Sequence, residues 1–422
     1  MSDYELTSVP QSERRSLWAV TSVWVGYVFL LASMMAGAGL AAQMPLSTVI
    51  LVTVLANLLL AALASVMSMI SFKTGYTFAV MTRFSFGLHG SKLPSILYAV
   101  IQMGWYTIQA SIYGHLIAVA FELGPLGESL AMVGSGVVMG LFGIAGIKAL
   151  EILSFVSIPA MVFICIGTVM RSAGDAGGWA TLFAAQPQGD MSFFAAVSIV
   201  IGTWVFGAAT TVADFNRFAR SKGDAVKGAV LGLLLVNSFV VLCGAVVGAA
   251  AGEHDMVKVL MGIGLVVPAF VLLTTNLWTT NGANIYSVGL TLSNVFSVSR
   301  RKIMVAVVAI TSGLTLFRPY ELDAIFGILI TAGIVVPPLA GVIISDFYLI
   351  NKSNYPALDK YQFVGFNHNA LIAWLCASAT AWFIPWGIQA VNALLVAFVV
   401  YTLLMKLSGY QVFTPQQPTA QP

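Results

Sequence analysis

Four long stretches of this chain carry no charged side chain: residues 17–72, 228–252, 259–299 and 369–405. A helix that crosses the ~30 Å hydrocarbon core of a bilayer needs about 20 mostly apolar residues, so each stretch is long enough for one or two crossings. A soluble fold has no place for them. The chain is 59% hydrophobic and 8% charged, where soluble domains carry about 25% charge. An all-α polytopic membrane protein is the fold class that this pattern demands.

Cutting at charges, Gly/Pro clusters and polar turns gives twelve expected spans, at 17–42, 46–72, 93–121, 130–150, 152–170, 193–213, 228–252, 262–296, 302–317, 323–349, 370–386 and 388–407. Only Ile384-Pro385-Trp386-Gly387 separates the last two. Lysine and arginine are retained in cytoplasmic loops. With an inside N-terminus, sixteen of the 19 basic residues fall on the inner side and only Arg171, Lys258 and Arg318 on the outer. One wrong crossing would invert every later loop, so this bias supports both the count and the direction. Both termini are then expected on the cytoplasmic side of an inner membrane. The first sixteen residues lack an apolar core with a small-residue cleavage site, and no cleaved signal peptide is expected. Cys165, Cys243 and Cys376 fall within spans without metal-ligand spacing and read as packing residues. The net charge of +3 is accounted for by the loops and calls for no nucleic-acid partner. The tail 414–422, rich in Pro and Gln, reads as disordered.

Between spans two and three, residues 74–91 set Tyr76, Phe78, Met81, Phe84 and Phe86 beside Arg83 and His89, the pattern of an amphipathic helix at the cytoplasmic interface. Small and polar residues concentrate in two spans. The first holds Gly26, Ala32, Ser33, Gly37 and Gly39; the sixth holds Gly202, Thr203, Gly207, Thr210 and Thr211. Five spans separate their starts, so the two run through the bilayer in opposite directions, which is the geometry of an inverted repeat. Gly-interrupted segments at matching places point to a midplane site built from discontinuous helices. The chain then divides into an inner tail 1–16, a first repeat 17–170, an outer loop 171–192, a second repeat 193–349, two extra spans within 350–407 and an inner tail 408–422.

Ionisable groups inside a membrane are costly and mark function, and the span interiors hold almost none. His115 is the exception; Asp214 and Asp346 sit at cytoplasmic ends. Paired carboxylates, a nucleophile elbow and metal-spaced His/Cys clusters are missing, so catalysis is not expected. Neutral hydrogen-bonding groups beside aromatics take their place. Gln102, Trp105 and Gln109 lie at i, i+3 and i+7 on one face of span three. Amides offer donors and acceptors and an indole offers a flat stacking surface, a set suited to a planar, uncharged, polar ring. Span eight packs Thr274, Thr275, Asn276, Trp278, Thr279, Thr280, Asn281 and Asn284 into eleven residues. So many side-chain dipoles are expensive in a membrane unless they face a ligand, an ion or one another. Thr279 and Thr280 hydroxyls, with backbone carbonyls freed by an unwound first helix, could ligate a small hard cation.

Several blocks resemble the cytosine permease group of nucleobase cation symporters. They are Lys73-Thr74-Gly75, Arg83-Phe84-Ser85-Phe86-Gly87, the Gln102 to Trp105 stretch, Ala213-Asp214-Phe215 with Arg217-Phe218, Asn276-Leu277-Trp278-Thr279-Thr280-Asn281, and Pro337-Pro338 leading to Gly341-Val342-Ile343-Ile344. The resemblance implies a LeuT-like fold: two inverted five-helix repeats, with helices one and six discontinuous, plus two extra C-terminal helices. It implies that Trp105 and an aromatic on span six sandwich a base, with Gln102 and Asn281 on its edge and Gln109 as a further contact. It implies a sodium site made by carbonyls of Gly26, Phe29 and Asn276 and by the Thr279 and Thr280 hydroxyls.

One departure from the family pattern bears on the substrate. Cytosine permeases read roughly Gly-Ser-Phe with a serine shortly after, whereas this chain reads Gly202-Thr203-Trp204-Val205-Phe206-Gly207. Thr203, Trp204, Phe206 and Gly207 are therefore the candidate contacts on span six, with Trp204 the preferred second wall and Phe206 the alternative. Cytosine, a purine, uracil, a hydantoin or a thiamine-precursor pyrimidine all remain open. The expected activity is import of a nucleobase by sodium symport with alternating access, sodium being the coupling ion and no cofactor or obligatory protein partner being called for. Proton coupling through His115 is the alternative.

Overall fold

The computed structural model of the chain describes residues 4–252, 266–319, 333–384 and 386–415. Lys258, the first residues of the expected eighth span, residues 323–332 of the expected tenth, Pro385 and the tail beyond Pro415 lie outside them.

Among the described residues, seven helices are long and apolar enough to cross a membrane, and a bent pair makes an eighth. The pair is Leu17–Val28 with Leu31–Gln43, followed by Leu46–Thr74, Pro125–Ala145, Ile147–Asp175, Phe193–Asn216, Lys222–Ala251, Gly333–Ile350 and Gln389–Ser408. Four further helices, Lys92–Ala120, Val266–Phe296, Arg300–Leu314 and His368–Phe383, complete twelve in the order read from the sequence. The first two of these are long but carry the amides and hydroxyls of the site. The other two have only 15 and 16 residues. Leu51, Leu58, Phe163, Leu375 and Leu403 point outward, more than half exposed, as a lipid-facing surface requires. Asn57, Ser68, Asn216 and Asn237 point inward and are fully buried.

The first span is broken in the middle. Phe29 and Leu30 leave helical geometry, and the two halves meet at 52°. A break strands backbone donors and acceptors that no water in the bilayer can satisfy. Here one side chain of span eight answers both sides: Asn276 Oδ1 accepts from the Leu31 amide at 3.3 Å, and Asn276 Nδ2 donates to the Phe29 carbonyl. In the sixth span the α pattern gives way to a π-turn at Gly207–Thr211 and resumes at Val212–Asn216. The interruption there is a widened turn within one continuous helix, unlike the unwound pair of the first span.

Spans one and seven meet backbone to backbone. A Cβ on Gly37 would lie 1.9 Å from the Val241 carbonyl oxygen, and one on Gly244 would lie 1.9 Å from that of Met34. Small residues permit this approach, which supplies the packing that lipid cannot. Gly244→Val should therefore force the helices apart, at a cost of about 1–3 kcal/mol or more. The expected result is a lower melting temperature for the purified variant; a wild-type melt would contradict the close contact.

Four expectations change. The turn between spans four and five lies at Gly146, not near Glu151. Gly146 has φ +94°, a backbone that favours glycine, while Glu151 is inside the fifth helix and pairs with Arg15 at 2.7 Å. The segment expected as an interfacial helix forms a shorter one, Phe78–Phe86, and protein covers it: Phe78, Met81, Phe84 and Phe86 are fully buried. Phe84 stacks on Tyr355 at 4.1 Å and meets Phe363 and Phe413 edge-on. Thr414 and Pro415, expected in the disordered tail 414–422, belong to a strand Phe413–Pro415 that pairs antiparallel with Tyr361–Phe363, and 416–422 lie outside the described residues. Cys165 and Cys243 are buried, but Cys376 is exposed on the outside of span eleven and does not pack the interior.

Contacts between the loops gather them on one face. Arg14 donates to the Phe72 carbonyl at 2.9 Å, Lys73 to that of Ser353 at 2.5 Å, and Asn367 to that of Ser85 at 2.6 Å. The N-terminal segment, the loops after spans two and ten and the C-terminal strand thus share a side, as an even number of crossings demands. Asp346 fastens span ten there, accepting from Tyr401 at 2.5 Å, Tyr355 at 2.6 Å and Asn351 at 3.0 Å. Burial and the nearby Asp346 hold the Tyr355 phenol well above its usual range, so it remains a donor to that carboxylate.

Candidate functional site

A small cavity opens beside the break in span one. Spans one, three, six and eight wall it with Tyr27 and Leu30, Trp105 and Gln109, Gly202 to Gly207, and Thr280 and Asn284. Six residues expected at the substrate therefore line one space: Trp105, Gln109, Thr203, Trp204, Phe206 and Gly207.

Each aromatic wall is held differently. Trp204 donates its indole N–H to Ser33 at 3.1 Å and packs edge-on against Tyr27 at 5.0 Å and Trp24 at 6.0 Å. Its ring is thereby pinned to both halves of the first span. A Cβ on Gly207 would meet that ring at 2.8 Å, so only glycine lets the indole lie over the start of the π-turn. Phe206 stacks on Tyr98 at 5.2 Å, with 11° between the planes. Trp105, on span three, is partly buried and lines the cavity.

Gln102 and Asn281, expected on the base edge, do not line the cavity. Gln102 is fully buried in a knot of hydroxyls, its Nε2 lying 3.2 Å from that of Tyr27 and 3.4 Å from those of Tyr98 and Thr211, and its Oε1 3.3 Å from that of Tyr27. Tyr98 passes the network on to Asp214 at 3.1 Å, whose other oxygen accepts from the Phe78 amide at 3.0 Å. Asn281 is turned toward spans three and four, donating to the Tyr106 carbonyl at 3.3 Å and touching Met139 Sδ at 3.2 Å. Asn284 takes its place at the wall. The sequence signal for Asn284 was its spacing of four from Thr280, which sets both on one helix face.

The residues expected to hold a cation meet at the break. Thr279 Oγ1 lies 3.0 Å from the Gly26 carbonyl and 2.9 Å from that of Asn276; Thr280 Oγ1 lies 3.5 Å from the Tyr27 carbonyl. With Phe29, whose carbonyl contacts Asn276 Nδ2, this is a cluster of neutral oxygens, the donor type that a hard cation prefers. His115 is elsewhere. It lies against Glu128 at 2.6 Å, and Glu128 also pairs with Arg318 at 2.7 Å, so this group joins ends of spans three, four and nine. No group of three His, Cys, Asp or Glu residues spaced for a metal occurs among the described residues.

A multi-pass bundle with a broken first helix, a hydroxyl-rich eighth helix beside it and an indole-walled cavity is the architecture of a membrane transporter. Residues 8–408 match the family described as permeases for cytosine/purines, uracil, thiamine and allantoin, and the chain belongs to that family. It is 34% identical to the cytosine permease of Escherichia coli K12 over 400 residues, covering 94% of this chain and 92% of the relative. It is 25% identical to the hydantoin permease of Microbacterium maritypicum, over 79% of this chain and 74% of that one. Among solved structures, a nucleobase-cation-symport-1 family transporter in a closed conformation with bromovinylhydantoin bound superposes with a TM-score of 0.83, at 20% identity and covering 95% and 94% of the two chains. The fold is that of these transporters.

Proposed function

We propose that the chain imports a nucleobase across the cytoplasmic membrane by sodium symport, with both termini inside. The observation that carries this reading is the adjacency of the two candidate sites. Thr280 and Tyr27 line the cavity and also meet at the break through the Thr280 hydroxyl and the Tyr27 carbonyl. An ion bound by Gly26, Phe29, Asn276, Thr279 and Thr280 would fix the angle between the halves of span one. Tyr27, Leu30 and the Ser33-pinned Trp204 would be set with it. The base would lie between Trp105 and Trp204, within reach of Gln109, Thr203 and Asn284. Cytosine, uracil and related planar heterocycles offer the flat faces and polar edges that two indoles and these side chains suit.

A ligand shifts a conformational equilibrium only by its difference in affinity between the states, so the oxygen cluster must come apart when the first span swings. Inward sodium flow then supplies the work, at about 2.3 kcal/mol per charge for each 100 mV.

Replacing external sodium by choline should reduce uptake of radiolabelled base to background, and undiminished uptake would remove sodium from the mechanism. Thr279→Ala refines the test, because Thr279 contacts Gly26 but does not line the cavity. Loss of one charge-facing oxygen costs about 1.5–3 kcal/mol, so the sodium concentration for half-maximal uptake should rise by roughly 10- to 100-fold. Base affinity at saturating sodium should stay within about 3-fold of wild type. An unchanged sodium requirement would place the ion elsewhere.

A further inference from the structure

Span seven holds both halves of the broken first span. Its inner part receives Trp24, which is fully buried and lies so close that a Cβ on Gly232 would collide with the indole ring. The indole N–H has no hydrogen-bond partner among the described residues, so shape alone seats the ring and no such bond has to break for it to leave. The outer part receives the other half of span one, with Gly37 against Val241, Met34 against Gly244 and Ala38 against Gly248. Phe239 meets Phe29 edge-on at 6.3 Å, which puts the residues just before it level with the break. There, at Leu231–Asn237, the α pattern of span seven gives way to a π-turn, whose hydrogen bonds span one residue more than those of an α-helix.

Asn237 closes that turn and is fully buried. Its Nδ2 lies 2.7 Å from Asn57 Oδ1 on span two and 3.5 Å from Thr203 Oγ1 on the cavity wall, and Asn57 Nδ2 lies 3.1 Å from the hydroxyl of Ser238. Asn237, Val241, Gly244 and Gly248 recur at i, i+4, i+7 and i+11, on one helix face. The outer part of span seven, span two and the wall at Thr203 are thus fastened together, whereas the part before the π-turn is fastened to Trp24. A rigid rod in these contacts could follow only one half of span one when the angle at the break changes. Turns of this kind are where helices bend. Resting on a first span that swings during transport, we propose that the π-turn of span seven is a second hinge, level with the first, and that Asn237 is the positioning residue that sets where it bends and holds Thr203 still.

Hydrogen exchange on the purified full-length protein reads the hinge without a ligand. Backbone amides of residues 233–237 should exchange at least about 10-fold faster than those of 240–251 in the same span, and equal protection along the span would overturn the proposal. Cytosine uptake by proteoliposomes reads its use. Deleting Leu235, which points outward and is more than half exposed, returns the turn to the α pattern while Gly232 and Val241 keep their facings. Turnover should fall by at least about 10-fold, with cytosine affinity in saturating sodium within about 3-fold of wild type. A second variant, Asn57→Leu with Asn237→Leu, replaces both partners by apolar groups of similar size, which folding tolerates better than the loss of one. It should melt within about 3 °C of wild type and lose turnover by at least about 5-fold. Wild-type turnover in the double variant, or in the deletion variant once folded, would overturn the hinge. Wild-type protein that takes up no base would overturn the nucleobase reading instead, and the exchange measurement would still decide the hinge.

Discussion

Replacing Trp105 by alanine is expected to weaken base binding by about 100-fold and to bring uptake at low base concentration to background. Stacking of a base on an aromatic face is worth about 1–3 kcal/mol, and Trp105 is the one aromatic that span three contributes to the cavity. Trp105→Phe keeps a flat face and should restore most of the affinity. No hydrogen bond among the described residues ties Trp105 to the oxygens at the break, so the sodium dependence of whatever binding remains should be that of wild type. Unchanged base affinity in the alanine variant, measured by equilibrium binding, would show that the base does not stack there.

The second large effect is expected at Asn276. Its carboxamide serves the Leu31 amide and the Phe29 carbonyl at once, and Asn276→Leu, similar in size, would leave both buried without partners. Each such loss costs about 1–3 kcal/mol. The melting temperature of the purified protein should fall by roughly 5 °C or more, and uptake should be lost with it because the break also shapes the cation cluster. Asn276→Asp keeps an acceptor for Leu31 but no donor for Phe29, so its melt should fall between the two. A leucine variant that melts like wild type would show that the break holds itself open without span eight.

The reasons why some features could be read in the sequence and others could not are physical. The order of spans was legible because charge and apolar length are properties of one segment alone. The bend between Val28 and Leu31 was legible for a related reason: small residues cluster around it, and span eight carries polar groups that something must satisfy. What depends on neighbours was hidden. Phe78, Phe84 and Phe86 would read the same facing lipid or protein, and the matter is decided by residues elsewhere in the chain: Tyr98 against Phe78, Tyr355, Phe363 and Phe413 against Phe84, and Trp374 against Phe86. Asn281 and Asn284 are three residues apart on adjacent lines of one helix. Which of them reaches the cavity is set by the Tyr106 carbonyl and Met139 on two other spans. Gln102 shares a helical face with Trp105 and Gln109, yet the phenols of Tyr27 and Tyr98 draw it into a buried network.

Shared residues make the two sites thermodynamically linked. If an ion at the break organises Tyr27, Leu30 and Thr280 for the base, the base must in turn strengthen the ion's hold by the same factor. Titration calorimetry on the purified protein, with choline balancing ionic strength, reads both directions. The account predicts that saturating sodium raises the affinity for the base by about 10-fold or more and that saturating base raises the affinity for sodium equally. Base affinity that stays constant from zero to saturating sodium would contradict it.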